Sequence, residues 1–481
     1  MISLICILFY QFIFQGQVVG SPDTMNPKSA GVALQQVYLE RGEFPLWEPW
    51  SFSGMPTAEA FTFISHLYFP ATILNLLFIK GILAQLLHLL FAGIGGYILL
   101  RSLNLSYYSS ILGGCAFMIT PFMVTMIIFG HGSQMMTAAY IPWIMCLTIR
   151  VLQRPILFNV GLLAIFMGLQ LQRAHVQIAY YTWMLAGSYV LFTLVSTYKV
   201  PEERNTSIYG FGGFAIAALL GIGIALVIYL PSLEYTPFSI RGGGVSGGAD
   251  YNYATSWSFS PKELLTFIIP SAMGFGGQTY WGNMPFTDYP NYMGIVILVL
   301  AAIGFVHRRD PLMWFLLGTS ILAIFISFGK NLSIIYDLFY SFFPFFNKFR
   351  IPAMILILVQ FNISVMAAIG LNYLLTLHKQ VIPRWFWTCS GVLVSFLLIL
   401  TLGQSFLQQF VSSGFTPPRT QDLRAIQAIN ALRWDIWLKD AWIMVLILAA
   451  FFWLIWAFIN QKIAKNVFAI AVTLLALTDI A

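Results

Sequence analysis

Charged residues are scarce in this chain. Only 24 Lys+Arg and 17 Asp+Glu occur among 481 residues, so that 9% are charged, whereas soluble proteins carry about 25%. At the same time 59% of the residues are hydrophobic and the mean hydropathy is +0.81. Because one core cannot hide so much apolar surface, the composition excludes a soluble fold and predicts a polytopic membrane protein.

Cysteine is scarce as well, and the sequence has no basic patch. The four cysteines stand alone inside apolar runs, without C-x-x-C spacing. This pattern excludes both a disulfide framework and a zinc site. The net charge of +7 comes from basic residues that stand singly or in pairs between apolar runs. Nucleic acid is therefore not an expected partner.

Long apolar runs take up most of the sequence. They are continuous over about 15 to 25 residues, which favours membrane helices over the alternating strands of a barrel. We expect one all-α polytopic membrane domain over residues 1–481 with about 12 to 13 crossings. The runs are 2–15, 82–100, 108–128, 134–149, 156–172, 176–197, 208–230, 292–306, 312–328, 352–376, 385–405, 441–459 and 466–480.

The basic residues of the short loops predict the orientation. If the first run crosses outward, the cytoplasmic connections hold eleven basic residues and three acidic ones, as the positive-inside rule requires. This assignment needs Phe61–Ile79 to be a re-entrant or interfacial segment rather than a crossing. All long loops then lie on the extracytoplasmic face, where we expect the function. These loops are 16–80, 231–291, 329–351 and 408–440.

Asp23 follows directly on the first apolar run. A carboxylate held at the membrane surface can take a proton from a hydroxyl nucleophile or hold a metal. The alternative is a structural role, in which Asp23 or Asn26 caps a helix that starts after Pro27. Composition alone favours the capping role.

Several loop motifs resemble those of the bacterial YfhO-like membrane proteins, a family of the GT-C glycosyltransferase superfamily. The resemblance covers nearly the whole chain. It is carried by Ser21-Pro22-Asp23, Leu46-Trp47-x-Pro49-Trp50, Gly54-Met55-Pro56, Gly130-His131-Gly132-Ser133-Gln134, Arg173 to Tyr181, Tyr280-Trp281-Gly282, Tyr292-x-Gly294 and Phe349-Arg350-Ile351-Pro352.

The resemblance implies a GT-C-like enzyme of the bacterial inner membrane. Such an enzyme moves a sugar from a polyprenyl-phosphate donor to a glycan, teichoic acid or protein acceptor outside the cytoplasm. It implies that Asp23 is the catalytic carboxylate. Family members generally continue with further helices, so we expect this chain to be incomplete. No cofactor is implied with certainty, and the use of a divalent metal stays open.

A leaving polyprenyl phosphate needs cations near it. Arg350 is the first candidate because its planar fork pairs with two phosphate oxygens, and Lys348 stands two residues earlier. An arginine snorkelling at a helix end is the alternative for Arg350. The candidates for sugar or phosphate contacts are His131, Gln134, His175, Gln177 and Trp281. Packed interhelical or interfacial roles are the alternatives for these residues.

Two other classes of function stay open at this stage. A lipid or glycan transporter or flippase would place ionisable residues inside the spans, but only His88 does so clearly, and it is better explained as a packed histidine. A non-catalytic protein of envelope assembly fits the sequence if Asp23 is only a cap.

Overall fold

The architecture is helical in the computed structural model of the chain. The structure describes residues 1–43, 45–50, 53–57, 67–242, 247–287, 289–377, 381–418 and 420–480, with the backbone alone at residues 22 and 26–28.

The helices of the first half vary from four to 35 residues in length. They are α1 Ile2–Leu8, α2 Tyr10–Phe14, α3 Pro22–Arg41, α4 Phe69–Leu76, α5 Ile82–Ser102, α6 Tyr107–Met118, α7 Pro121–Ile128, α8 Gly132–Ala138, α9 Ile141–Gln153, α10 Leu157–Gln172, α11 Val176–Thr197, α12 Pro201–Tyr235 and α13 Tyr251–Ala254. The strands β1 Trp47–Glu48 and β2 Met55–Pro56 pair antiparallel, with Glu48 opposite Met55.

The helices of the second half complete the fold. They are α14 Ile295–His307, α15 Pro311–Ser327, α16 Ser333–Phe342, α17 Leu356–Leu374, α18 Arg384–Leu402, α19 Gln404–Ser412, α20 Leu423–Ile459 and α21 Lys465–Ile480. Short 3-10 turns occur at Thr236–Phe238, Pro261–Phe267, Gly329–Asn331, Phe346–Lys348 and Pro352–Ile355.

Eight helical stretches of the described residues are long and apolar enough to cross a membrane. The chain is therefore an all-α, multi-pass membrane protein, as its composition predicts. The eight are Ile82–Ser102, Tyr107–Ile128, Gly132–Gln153, Val176–Thr197, Pro201–Phe238, Pro352–Leu374, Arg384–Leu402 and Leu423–Ile459. Three shorter apolar helices are Leu157–Gln172, Ile295–His307 and Pro311–Ser327. The expected total of 12 to 13 crossings stays a prediction.

Two boundaries differ from the expectation. The last loop was expected over 408–440, but α19 and the start of α20 occupy most of it. A hydropathy pattern misses such polar helical turns, which here begin where the Asp422 carboxylate accepts the backbone N–H of Arg424 at 2.9 Å. Pro231 was expected to open a loop, yet it lies inside α12. Of the segment 61–79, residues 61–66 lie outside the described residues, and α4 follows them.

The described residues form two compact units. The first unit consists of Met1–Ser102, Met123–Ala254 and Tyr340–Arg350, and the second of Leu103–Phe122, Thr255–Phe339 and Ile351–Ala481. In the first unit α12 packs against α9, α10 and α11. A Cβ atom at Gly221 would lie 2.9 Å from the Cβ atom of Met167, so the glycine permits the close approach of α12 to α10.

The second unit is built around α17, which packs against α6, α14 and α15. The amide of Asn362, buried in α17, donates to the backbone O of Leu316 at 3.2 Å and to the Thr319 hydroxyl at 3.0 Å on α15. Such interhelical hydrogen bonds substitute for water that the membrane interior does not supply.

Candidate functional site

Asp23 lies in the first turn of α3. The helix begins at Pro22, with Ser21 as its N-cap residue, so neither Asp23 nor Asn26 is the N-cap of a helix that starts after Pro27. That capping interpretation was wrong, because proline is well tolerated in the first turn and the helix starts one proline earlier. A carboxylate in the first turn is stabilised by the helix dipole. Asp23 is exposed, which leaves its carboxylate accessible.

The imidazole of His131 lies beside the Asp23 carboxylate. Its Nε2 atom lies 3.3 Å from Asp23 Oδ2. Gly130 makes this approach possible, because its φ is +86° and a Cβ atom there would lie 2.5 Å from Thr24 Oγ1. Only glycine satisfies both the positive φ and the close contact at low cost. The sequence Gly130-His131 therefore holds an imidazole against the carboxylate at the start of α3.

His175 is the N-cap residue of α11. Its Nδ1 accepts the backbone N–H of Ile178 at 3.4 Å, which requires a neutral imidazole with the proton on Nε2. Burial, followed by the positive charges of Arg241 and His131, lowers the pKa of His175 below its ordinary value. In the first unit, Arg241 and His131 therefore lie close enough to His175 to affect its charge state.

Gln177 holds the backbone of Arg350. Its Nε2 donates to the Arg350 carbonyl oxygen at 2.6 Å and to the Tyr181 hydroxyl at 3.0 Å. The side chain is buried, with only 4% of the residue exposed. Because both amide protons are engaged, the structure gives Gln177 a positioning role toward Arg350.

The Arg350 guanidinium lies against Tyr253 of α13. Its Nη1 donates to the Tyr253 hydroxyl at 2.9 Å, and its Cζ lies 4.9 Å from the centre of the ring. A cation over an aromatic face is stabilised by the ring quadrupole. Tyr253 is in turn positioned by the Asp250 carboxylate, which accepts the Tyr253 backbone N–H at 3.3 Å. The arginine is thus oriented by an aromatic side chain that sequence reasoning did not single out.

The segment that contains Lys348 is hydrogen-bonded to both ends of the glycine-rich stretch 241–249. Arg241 Nη1 donates to the Lys348 carbonyl oxygen at 3.0 Å, and the backbone N–H of Ala249 donates to the Asn347 carbonyl oxygen at 2.9 Å. The Lys348 ammonium also donates to the Gly247 carbonyl oxygen. Residues 243–246 lie outside the described residues. Arg241 therefore belongs to the same group as Lys348 and Arg350.

Two residues with φ in the left-handed region stand next to candidate site residues. Ala174, between Arg173 and His175, has φ +61°, and Ile351, directly after Arg350, has φ +61°. A β-branched residue seldom adopts this conformation, which costs on the order of 1–3 kcal/mol. Because such strain is found mainly where a side chain must point in one direction, it supports a functional interpretation of the segment around Arg350.

The two remaining candidates are Gln134 and Trp281. Gln134 lies in α8, is 7% exposed, and its backbone N–H donates to the His131 carbonyl oxygen at 2.9 Å. Trp281 belongs to the second unit, is 8% exposed, and its ring contacts that of Phe415 with centroids 5.1 Å apart. Its surroundings are those of a packed aromatic residue, and the structure does not bring it together with the first unit's residues in one unit.

His88 is hydrogen-bonded at both ring nitrogens. Nδ1 donates to the Ala84 carbonyl oxygen at 2.7 Å, so Nε2 accepts the Tyr68 hydroxyl at 2.7 Å. Tyr140 extends this series of hydrogen bonds, because its hydroxyl lies 2.5 Å from that of Tyr68. The interpretation of His88 as a packed, satisfied histidine agrees with these contacts.

The residues missed by sequence reasoning are Arg241 as a member of the site and Tyr253. Arg241 opens the glycine-rich run, and Tyr253 stands in the sequence Tyr251-Asn252-Tyr253. A tyrosine cluster next to a glycine-rich loop is the only signal, and it does not show which tyrosine meets an arginine. Among the described residues, no group of three His, Cys, Asp or Glu side chains is close enough to hold a metal ion.

No protein-family model matches the chain, and a search of the curated proteins gives no match.

Proposed function

We propose that the chain is a GT-C-type membrane glycosyltransferase of the YfhO-like family. It takes a sugar from a polyprenyl-phosphate donor on the extracytoplasmic face of a bacterial inner membrane and transfers it to a glycan, teichoic acid or protein. The observation that carries this proposal is the Asp23–His131 pair at 3.3 Å, in the same compact unit as Arg241, Lys348 and Arg350.

In this proposal Asp23 is the general base. It takes the proton of the acceptor hydroxyl while that oxygen attacks the anomeric carbon of the sugar, and the bond from that carbon to the phosphate oxygen breaks. General bases of this kind contribute about 10²- to 10⁴-fold. His131 orients the carboxylate.

The cations receive the leaving phosphate. Arg350, held by Tyr253 and Gln177, and Lys348, held by Arg241 through its carbonyl, belong to one segment of chain. Preorganised cations stabilise negative charge that develops on a leaving group, because they need no reorganisation during the reaction. The apolar spans would hold the polyprenyl chain.

The phosphate-binding part is tested with farnesyl phosphate and its uncharged analogue farnesol. Binding to the purified full chain in lipid nanodiscs is followed by tryptophan fluorescence. Arg350→Ala is expected to weaken the binding of farnesyl phosphate about 10- to 100-fold, because a charge-assisted hydrogen bond contributes about 1.5–3 kcal/mol. Farnesol binding should not change. The matched control is Lys262→Ala, an exposed lysine of the second unit.

If Arg350→Ala weakens the binding of farnesyl phosphate and of farnesol equally, the arginine has a packing role and the proposed phosphate-binding role is refuted. Transport is the competing outcome. If labelled polyprenyl-phosphate sugar crosses the bilayer of proteoliposomes without loss of the sugar, the protein is a flippase and not a transferase.

A further inference from the structure

Three neighbouring phenylalanines lie on the surface of the first unit. Phe342, Phe343 and Phe345 are 81%, 42% and 62% exposed, and they belong to the segment Tyr340–Arg350 of that unit. We call these three side chains the aromatic tip. A cluster of exposed large apolar side chains indicates a contact with a membrane or with another protein. The position of the aromatic tip in the fold decides between these two kinds of partner.

The backbone of the aromatic tip is fixed by its contacts and its geometry. The Tyr180 hydroxyl donates to the Pro344 carbonyl oxygen at 2.6 Å. Phe345 has φ +62°, a left-handed conformation that residues other than glycine seldom adopt. The next residue, Phe346, is buried. Because the chain turns here from an exposed phenylalanine to a buried one, the backbone itself keeps the aromatic tip on the outside.

The aromatic tip lies at the N-terminal end of a membrane span. Phe343 and Phe349 pack against the ring of Tyr180, with ring centroids 6.2 and 4.9 Å from it. Tyr180 belongs to α11, which is long and apolar enough to cross a membrane and begins at Val176. Four residues of helix correspond to about 6 Å at 1.5 Å per residue. The aromatic tip is therefore level with the first turns of α11.

The same side of α11 faces lipid further along the helix. Leu191 follows Tyr180 after about three turns at 3.6 residues per turn, so the two side chains leave the helix in nearly the same direction. Leu191 is exposed in the middle of the span, where the surroundings of an exposed leucine are acyl chains. The aromatic tip thus continues a lipid-facing side of α11 to the membrane boundary, where aromatic side chains are enriched.

Two basic residues follow the aromatic tip. The segment 340–350 contains Lys348 and Arg350 and no acidic residue, and cations close to a membrane surface are attracted to the phosphate groups of lipids.

We propose that the aromatic tip inserts into the bilayer at the N-terminal end of α11, and that its partner is the lipid surface. The phenyl rings lie at the boundary between headgroups and acyl chains, as the apolar side chains of interfacial segments do. Lys348 and Arg350 are thereby held at the level of the lipid phosphates. This interaction concerns the bilayer itself, so it goes beyond the proposed sugar transfer and does not depend on it.

The test measures the depth of the aromatic tip in the full chain, reconstituted in nanodiscs of phosphatidylethanolamine and phosphatidylglycerol. Cys6 and Cys389 are replaced by serine, because the other two cysteines are buried, and a nitroxide is attached to Phe345→Cys. Electron paramagnetic resonance compares its collisions with oxygen, which partitions into lipid, and with a water-soluble nickel chelate. Leu191→Cys is the lipid reference, and Glu43→Cys, at an exposed carboxylate, is the water reference. We expect the oxygen-to-nickel ratio at Phe345→Cys to lie near that of Leu191→Cys.

A second label tests whether the phenyl rings cause the insertion. With the nitroxide on Ser341→Cys, an exposed neighbour, the double substitution Phe342→Ser, Phe345→Ser should shift the ratio toward that of the water reference. The matched control is Phe406→Ser, Phe410→Ser, which removes two exposed phenylalanines of α19 in the second unit and should leave the ratio unchanged.

Three results would each overturn the proposal. A ratio at Phe345→Cys equal to that of the water reference would place the aromatic tip in water. Few collisions with both reagents would place it against another protein or a second copy of the chain. An unchanged ratio at Ser341→Cys in the Phe342→Ser, Phe345→Ser variant would show that the rings do not anchor the segment.

Discussion

Asp23→Asn separates the proposed chemistry from the stability of the fold. The substitution keeps the size of the side chain and removes the negative charge that pairs with His131 at 3.3 Å. The side chains of Asp23 and His131 are 62% and 41% exposed. Exposed ion pairs contribute only about 0.2–1 kcal/mol, because water and salt screen them. The variant should therefore fold, with a loss of at most about 1 kcal/mol.

The expected loss of activity is much larger than this loss of stability. Removing a general base lowers turnover by about 10²- to 10⁴-fold, which corresponds to about 2.7–5.4 kcal/mol in the barrier. That energy exceeds the energy of the exposed pair several times over. The two effects are thus distinguishable in one pair of measurements.

The assay measures release of polyprenyl phosphate from a labelled polyprenyl-phosphate sugar by the full chain in nanodiscs, beside thermal unfolding of the same samples. Glu43→Gln is the matched control, because Glu43 is an exposed carboxylate of the same segment and has no proposed role. Turnover by Asp23→Asn equal to that of Glu43→Gln, with both proteins folded, would refute the assignment of the base.

Four other predictions follow from the geometry. Gly130→Ala should destabilise the chain by about 1–2 kcal/mol, because φ is +86° there, and should lower turnover, measured beside thermal unfolding. Arg350→Lys should weaken the binding of farnesyl phosphate less than Arg350→Ala does, and Tyr253→Phe should weaken that binding slightly. Equal effects of the lysine and alanine variants would show that the guanidinium itself is required. The pKa of His175 is lower in the folded chain than its ordinary value, so on acidification the unfolded chain takes up a proton before the folded chain does. Thermal stability should therefore fall as the pH drops below about 6.5. The variant His175→Gln should show a smaller decline in thermal unfolding experiments. Arg433→Met should lower the free energy of unfolding in urea by about 3 kcal/mol or more, because the buried guanidinium donates to four backbone carbonyls, among them that of Thr416 at 2.7 Å.

The helices of the membrane domain were largely predictable from apolar runs. The runs 156–172, 176–197 and 312–328 agree with α10, α11 and α15 within a few residues. A continuous apolar run must satisfy its backbone internally in a membrane, and a helix does so by local hydrogen bonds alone. The polar first turns of α20 were not predictable in this way, because their stability comes from a cap and from packing rather than from hydropathy.

The candidate site was predictable only in its parts. Asp23, His131 and Arg350 stood out by residue type and loop position, but their neighbours depend on contacts between segments far apart in sequence. Gln177 meets the Arg350 carbonyl across 173 residues, and Tyr253 meets its guanidinium across 97. No local pattern encodes such a pairing. The structural role of Gln177 also became apparent only when its two partners were known.

The amino-acid sequence alone determined the class of this molecule. Few charges and long apolar runs require a helical membrane protein, because backbone N–H and C=O groups without hydrogen bonds are unstable in lipid. Folding decided the rest. The approach of Gly130 to the start of α3 places an imidazole beside Asp23, and the Gln177 amide meets the Arg350 carbonyl oxygen only because distant segments pack together. Both features arise from distances between groups that the order of residues does not express.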